Sequence, residues 1–132
     1  MATSINLMDS IGSGADLVNL KSIIRSRHLK RLRWLVGHSK GNLMISSAIS
    51  ELALEGTDLS ELGDVRFVFL SALSALPQGL GRQYQIIGDM DVLGWMNSRV
   101  NIEHKLVHGA MHHLNRNLLF HLNAQEELSL IA

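Results

Sequence analysis

The ten residues from Trp34 to Leu43 read WLVGHSKGNL, and they decide the fold class of this chain. They join an apolar run to a segment of helical periodicity through a Gly-x-Ser-x-Gly motif with Ser39 at its centre. A short apolar run, a tight glycine turn and an amphipathic helix are typical of a strand–turn–helix unit in a parallel α/β sheet. In that setting the glycines let strand and helix approach closely, and the serine is exposed at the start of the helix.

The rest of the chain continues the alternation of strands and helices. Apolar runs predict strands at 32–36, 65–70, 84–87 and 105–107, and helical spacing predicts helices at 16–28, 41–55 and 112–122. Residues 71–82 are predicted to form a loop and residues 89–101 to be irregular. We therefore predict an α/β fold with a small, mostly parallel sheet of about four strands flanked by helices. Residues 1–14 are predicted to be a loose N-terminal leader before one domain at 15–132.

Composition excludes several classes of protein. Of the 132 residues 46% are hydrophobic and 18% charged, which is enough apolar material for a packed core. Twelve basic and twelve acidic residues give zero net charge, so we expect no nucleic-acid partner. Cysteine is absent, which excludes disulfides and a thiol nucleophile. The start lacks the pattern of a signal peptide and no apolar run approaches the roughly 18 residues of a membrane span. We expect a cytoplasmic protein.

Acidic and histidine residues follow the later predicted strands. Asp89 and Asp91 come directly after the third strand, and His112 and His113 come shortly after the fourth. The carboxyl ends of parallel strands meet at one edge of a sheet, where the active sites of open α/β sheets lie. A serine hydroxyl becomes a nucleophile when a histidine takes its proton and an acid orients that histidine. The order serine, aspartate, histidine therefore predicts a catalytic triad.

Three short motifs together resemble the C-terminal half of the α/β-hydrolase superfamily of serine esterases and lipases. They are the segments Gly37–Gly41, Gly88–Asp91 and Gly109–His112, which match Gly-x-Ser-x-Gly, Gly-x-x-Asp and Gly-x-x-His. The resemblance extends over roughly residues 16–122. It implies a hydrolase of carboxylic esters, lipid esters included, that needs no cofactor and no metal.

The resemblance also implies a role for particular residues. Ser39 would be the nucleophile, Asp91 the acid, His112 the base, and the backbone N–H of Lys40 an oxyanion donor. Within two residues of the favoured acid and base lie the alternatives Asp89 and His113.

The resemblance leaves part of the family's fold unmatched. Members carry further strands before the serine, and a loop there supplies a second oxyanion donor. The predicted strand Leu32–Val36 would then have an open edge, available to a second copy or a partner chain. Three alternatives follow: a fragment of a longer enzyme, a chain completed by association, or a catalytically impaired remnant that acts as an interaction protein.

Two further patterns have alternative interpretations. Seven of the twelve basic residues lie between Lys21 and Lys40, with no Asp or Glu among them. They indicate either a patch for RNA, DNA or anionic lipid, or cations at a helix end followed by a solvated turn, which we favour. His104, His108 and His112 have the spacing of metal ligands on a helix, but Gly109 and the apolar pair before it interrupt that helix.

Overall fold

The computed structural model describes residues 7–9, 19–22, 24, 32–77, 80–99 and 101–131, and within them five parallel strands lie side by side in chain order. The strands are β1 (Leu7–Asp9), β2 (Trp34–His38), β3 (Arg66–Leu70), β4 (Gln83–Gly88) and β5 (Lys105–Val107). Besides the helical residues at 19–22 and 24, the helices are α1 (Lys40–Leu54), α2 (Val92–Met96) and α3 (Ala124–Ile131), with a 3₁₀ turn at Ser60–Leu62.

The centre of the sheet is covered on both faces. In β3, Phe67 and Phe69 join a buried cluster with the apolar side of α1, whereas Val68 and Leu70 join a second cluster with residues of α3. Successive side chains of a strand point to opposite faces, so this split places α1 and α3 on opposite sides of the sheet. A strand buried on both faces has a nearly continuous apolar sequence, as 65–70 does. The predicted α/β class with a parallel sheet is confirmed.

Helix α1 is held by its apolar face and ended by a glycine. Ile45, Ile49 and Leu52 are fully buried at helical spacing. Gly56 has φ 82°, and its N–H bonds to Ala53 O at 3.1 Å, the left-handed ending that glycine adopts most easily. None of the helices in the described ranges is both long and apolar enough to cross a membrane.

The first predicted helix is borne out where the structure describes it. Residues 19–22 and 24 are helical, and Leu20 and Ile24 are buried against α1 and the sheet, as their spacing predicts. The other residues of the predicted helix at 16–28 lie outside the described residues.

The start of the chain corrects one prediction. Leu7–Asp9, which falls inside the predicted leader, forms β1 and pairs with β2 in parallel register, with Asp9 opposite His38. The expectation of an open edge on the strand Leu32–Val36 is therefore wrong at its carboxyl end, where β1 pairs with Val36, Gly37 and His38. Three residues between polar neighbours carry too weak a periodicity to be recognised as a strand. The rest of the leader lies outside the described residues.

Two predictions in the second half are also wrong. Val92–Met96 is a short helix rather than irregular chain, because the Asp91 carboxylate caps its first turn. Residues 112–122 form turns instead of a helix, in which Asn115 binds the N–H of Asn117 and Phe120 has φ 59°. Their leucines have helical spacing, but asparagine side chains favour turns by bonding the nearby backbone. The last helix begins after Asn123, which caps it through Glu126 N.

Candidate active site

Ser39 occupies a sharp turn between β2 and α1. Its φ of 57° and ψ of −121° lie outside the regions that side chains other than glycine prefer, and its N–H donates to Leu70 O at 2.9 Å. The residue two before it must be glycine, because a Cβ on Gly37 would lie 2.2 Å from Asn42 Oδ1. The motif therefore forms the strained strand–turn–helix bend that its sequence predicts, with Ser39 at the bend. The expectation that the serine is exposed is wrong, because Ser39 is buried with 7% of its surface accessible.

Asn42 fixes the first turn of α1 against the neighbouring strand. The side chain is fully buried, and Nδ2 donates to the carbonyl oxygens of Leu70 and Ala72 at 2.9 Å each. These carbonyls lie where β3 ends and the chain leaves the sheet. The two hydrogen bonds hold the start of the helix in place relative to the carboxyl ends of the strands.

Asp91 lies just beyond the end of β4 and is almost completely buried. Its Oδ1 accepts a hydrogen bond from Gly94 N at 2.6 Å, which fixes the carboxylate at the start of α2. The backbone around Asp91 leaves no room for a side chain at Gly88 or at Gly94. A Cβ on Gly88 would lie 2.1 Å from Ala110 O, and one on Gly94 would lie 2.4 Å from Asp91 Oδ2.

His112 lies between the other two side chains. Its Nδ1 is 2.8 Å from Asp91 Oδ1, and its Nε2 is 2.8 Å from Ser39 Oγ. A carboxylate only accepts, so Nδ1 carries a proton and donates it to Asp91. In the neutral ring Nε2 is then left to accept the Ser39 hydroxyl proton. The three residues favoured from the sequence converge in the relative arrangement that a serine hydrolase requires.

The alternative acid lies at a different place. Asp89 is exposed and binds the turn after β5, accepting from Gly109 N at 2.8 Å and contacting His108 Nδ1 at 3.2 Å. The backbone N–H of Gly109 is the main cause that lowers the pKa of Asp89 below its ordinary value, and His108 lowers it further. Asp89 thus anchors the loop that leads to His112.

The alternative base is also displaced from Ser39. The Nδ1 of His113 is buried and has no hydrogen-bond partner among the described residues, and its carbonyl oxygen accepts from Leu122 N at 2.9 Å. The structure therefore brings together Ser39, Asp91 and His112, and neither Asp89 nor His113 takes part in that hydrogen-bonded row.

Lys40 is the first residue of α1. The first four N–H groups of a helix have no carbonyl partner within the helix, and the helix dipole adds positive potential there. The N–H of Lys40 directly follows the serine. It belongs to this set of donors and is the sequence-predicted candidate for an oxyanion contact.

Sequence reasoning missed one residue of the site. His38 is buried, its Nε2 lies 2.8 Å from the backbone oxygen of His112, and the two rings are 5.1 Å apart. It occupies the variable position before the serine in Gly-x-Ser-x-Gly, which carries no signal of its own. Only the folded structure, in which the loop after β5 reaches the carboxyl end of β2, reveals the contact.

The three histidines with metal-ligand spacing separate in the structure. His104 Nδ1 contacts Ile102 O at 2.8 Å, His108 contacts Asp89, and His112 belongs to the row with Ser39. Across the part of the chain that is described, no group of three or more His, Asp, Glu or Cys side chains is placed to hold a metal ion.

Comparisons with known proteins identify no relative. The chain matches no family model, no curated protein and no solved structure.

Proposed function

We propose that this protein is a serine hydrolase that cleaves carboxylic esters through an acyl-enzyme intermediate. One observation carries the proposal: His112 lies between Ser39 Oγ and Asp91 Oδ1, at 2.8 Å from each. A structural histidine does not require a strained serine on one side and a buried carboxylate on the other. The resemblance to the C-terminal half of the α/β-hydrolases and the parallel α/β sheet support the same interpretation.

Acylation begins at Ser39. Its Oγ attacks the ester carbonyl carbon while His112 Nε2 takes the hydroxyl proton. The buried Asp91 carboxylate stabilises the resulting imidazolium through Nδ1–H and keeps the ring in the required tautomer. The tetrahedral intermediate then collapses. The C–O bond to the alcohol breaks, and the alcohol leaves with the proton that His112 held.

Deacylation repeats the cycle with water. His112 Nε2 takes a proton from a water molecule, whose oxygen attacks the acyl carbon bound to Ser39. The second tetrahedral intermediate releases the carboxylic acid, and the proton returns to Ser39 Oγ. In both halves the negative oxygen accepts from the N–H of Lys40 at the positive end of α1.

Apolar side chains beside the acid favour an ester with an apolar acyl group. Helix α2 begins directly after Asp91, and its Val92, Leu93 and Met96 are 69%, 57% and 76% exposed. Exposed apolar side chains next to reacting groups provide a surface for hydrocarbon. His112 itself remains partly exposed, with 23% of its side chain accessible, which suits an accessible ester.

Covalent labelling tests the proposal directly. The purified 132-residue chain is treated with a fluorophosphonate probe, which reacts with activated serines, and hydrolysis of p-nitrophenyl butyrate is measured in parallel. We expect labelling and turnover in the wild type and neither in Ser39→Ala. Ser47→Ala is the matched control, because Ser47 is exposed on α1 outside the triad and its loss leaves labelling unchanged.

The outcome separates the enzyme from its alternative, the catalytically impaired remnant that acts as an interaction protein. A folded wild type that takes no label and hydrolyses no faster than Ser39→Ala supports the remnant. Labelling that persists in Ser39→Ala assigns the nucleophile to another residue.

A further inference from the structure

A cavity of about 410 Å³ opens at the amino ends of β2, β3 and β4. The proposed triad lies beyond the carboxyl ends of β2, β4 and β5, so the two sites lie at opposite ends of the parallel strands. The cavity is lined by Arg33, Trp34, Gly63, Asp64, Arg66 and Arg82.

Backbone pairing sets the positions of the three arginines in neighbouring strands, with Arg66 and Arg82 on the Trp34 face of the sheet and Arg33 on the opposite face. Arg66 N donates to Arg33 O at 2.8 Å, and Phe67 N donates to Arg82 O at 2.8 Å. Neighbouring strands are about 4.8 Å apart, so each arginine begins or precedes a strand beside the next. The positions of the three residues are therefore set by the sheet itself.

The side chain of Arg66 is already held in one orientation before a ligand binds. The guanidinium carbon of Arg66 lies 5.0 Å from the centre of the Trp34 ring, and Trp34 is the residue opposite Arg66 in the strand register. An arginine stacked on an aromatic face keeps its N–H groups available at the edge of its plane. Less conformational freedom is then lost when a ligand binds.

The charge of the cavity indicates its ligand. Arg66 and Arg82 outweigh the carboxylate of Asp64 among the lining side chains, and these three residues leave a formal charge of +1. Guanidinium groups pair with phosphate oxygens through two parallel N–H bonds. We propose that this cavity binds a phosphate dianion, as a phosphate monoester or a pyrophosphate group. Its volume falls in the range of about 300–1,000 Å³ for small-molecule sites, which leaves room for an organic part.

The proposal is independent of the hydrolase chemistry, because it uses none of the residues of the triad. Arg33 also belongs to the basic stretch of the sequence between Lys21 and Lys40. A soluble organic phosphate and a phosphate headgroup on a lipid surface share the required chemistry, and the experiment distinguishes them.

Calorimetric titration of the full chain with inorganic phosphate and with pyrophosphate tests the site. Ionic strength is held constant, because salt screens exposed charges. We expect saturable binding, weakened about tenfold or more in Arg82→Gln, which loses charged hydrogen bonds. Arg82→Lys keeps the positive charge but loses the paired N–H donors of the guanidinium. We expect its affinity for phosphate to lie between those of the wild type and Arg82→Gln. Arg99→Gln removes the same charge from an exposed position outside the cavity and leaves affinity unchanged.

The second arm uses phosphatidylcholine vesicles with and without phosphatidic acid. Binding of the soluble anions that is lost in Arg82→Gln supports a soluble ligand. Binding only to phosphatidic acid vesicles, lost in the same variant, supports a lipid headgroup. Arg82 is exposed and precedes β4, so its replacement leaves the core intact. Absence of saturable binding, equal weakening by Arg99→Gln, or binding confined to a single-stranded oligonucleotide overturns the proposal.

Discussion

The Nε2–H of His38 donates a hydrogen bond to the backbone oxygen of His112, with 2.8 Å between the two atoms. A carbonyl oxygen only accepts, so Nε2 of His38 carries the proton. The bond ties the residue before the nucleophile to the backbone of the proposed base. We therefore propose that His38 is a positioning residue, which acts on the proposed reaction through His112.

Replacing His38 with phenylalanine keeps a ring in the buried space but removes the donor. We expect kcat for p-nitrophenyl butyrate to fall by up to about 100-fold, since a base displaced by about 1 Å loses that much rate. His38→Gln, whose side-chain amide can donate to the same carbonyl, is expected to recover part of the loss. Steady-state kinetics would contradict the assignment if both variants had the kcat of the wild type.

The conformation of Ser39 predicts a stability difference between two inactive variants. With φ at 57° the residue is strained by its Cβ, and alanine retains that strain while glycine relieves it. We expect Ser39→Gly to be more stable than Ser39→Ala by about 1 kcal/mol. Urea denaturation of both variants provides the comparison. An equal or lower stability for the glycine variant would mean that the surrounding structure, and not the side chain, determines the bend.

The sequence was sufficient to predict that Ser39, Asp91 and His112 lie close together, because all three follow the ends of strands. Each of the three motifs has a local sequence signal, because a glycine precedes the polar residue by two or three positions. Parallel strands then bring the residues at their carboxyl ends together. The glycines at 37 and 88 have physical reasons visible only in the structure, where Cβ atoms would meet Asn42 and Ala110.

Other features depend on long-range contacts that a single sequence does not contain. β1 is recognised only through its pairing with β2, and the arginine cavity only through the register of three strands. The same holds for His38, whose partner is 74 positions away in the chain. The prediction of a helix at 112–122 was wrong although the local leucine spacing favours one. Turns formed by asparagine side chains and the hydrogen bond from Met111 N to Phe120 O determine the structure there instead.

The two aspartates after β4, Asp89 and Asp91, allow the same substitution to be compared at two nearby positions. Asp91→Asn removes the carboxylate that fixes the tautomer of His112, and we expect kcat to fall about 10⁴-fold. Asp89→Asn makes the same chemical change two residues away, at an exposed side chain that binds Gly109, and we expect activity close to that of the wild type. A larger loss from Asp89→Asn than from Asp91→Asn would exchange the two assignments.

Asp89 also predicts a dependence of stability on pH. Its pKa is lowered in the folded protein, mainly by the Gly109 N–H, so the folded state binds its proton less readily than the unfolded chain. Its stabilising contribution is therefore present above the unfolded pKa, about 3.9, and is lost as pH falls through the folded pKa. We expect the stability of the wild type to fall more steeply below pH 4 than that of Asp89→Asn. Thermal melts from pH 6 to pH 2.5 measure the difference, and parallel curves would contradict it.

Substitution of Gly94 tests whether a change beside Asp91 reduces activity by more than its effect on stability accounts for. A Cβ there would lie 2.4 Å from Asp91 Oδ2 and 2.5 Å from Ser71 O, so Gly94→Ala must displace the carboxylate that orients His112. We expect kcat/KM to fall about 100-fold with a stability loss of about 1–3 kcal/mol. Gly56→Ala is the control. At φ 82° with no atom within 4 Å it loses about 1 kcal/mol of stability through backbone strain alone, and it retains full activity. If the two variants lost activity in proportion to their loss of stability, Asp91 would have no specific role in orienting the base.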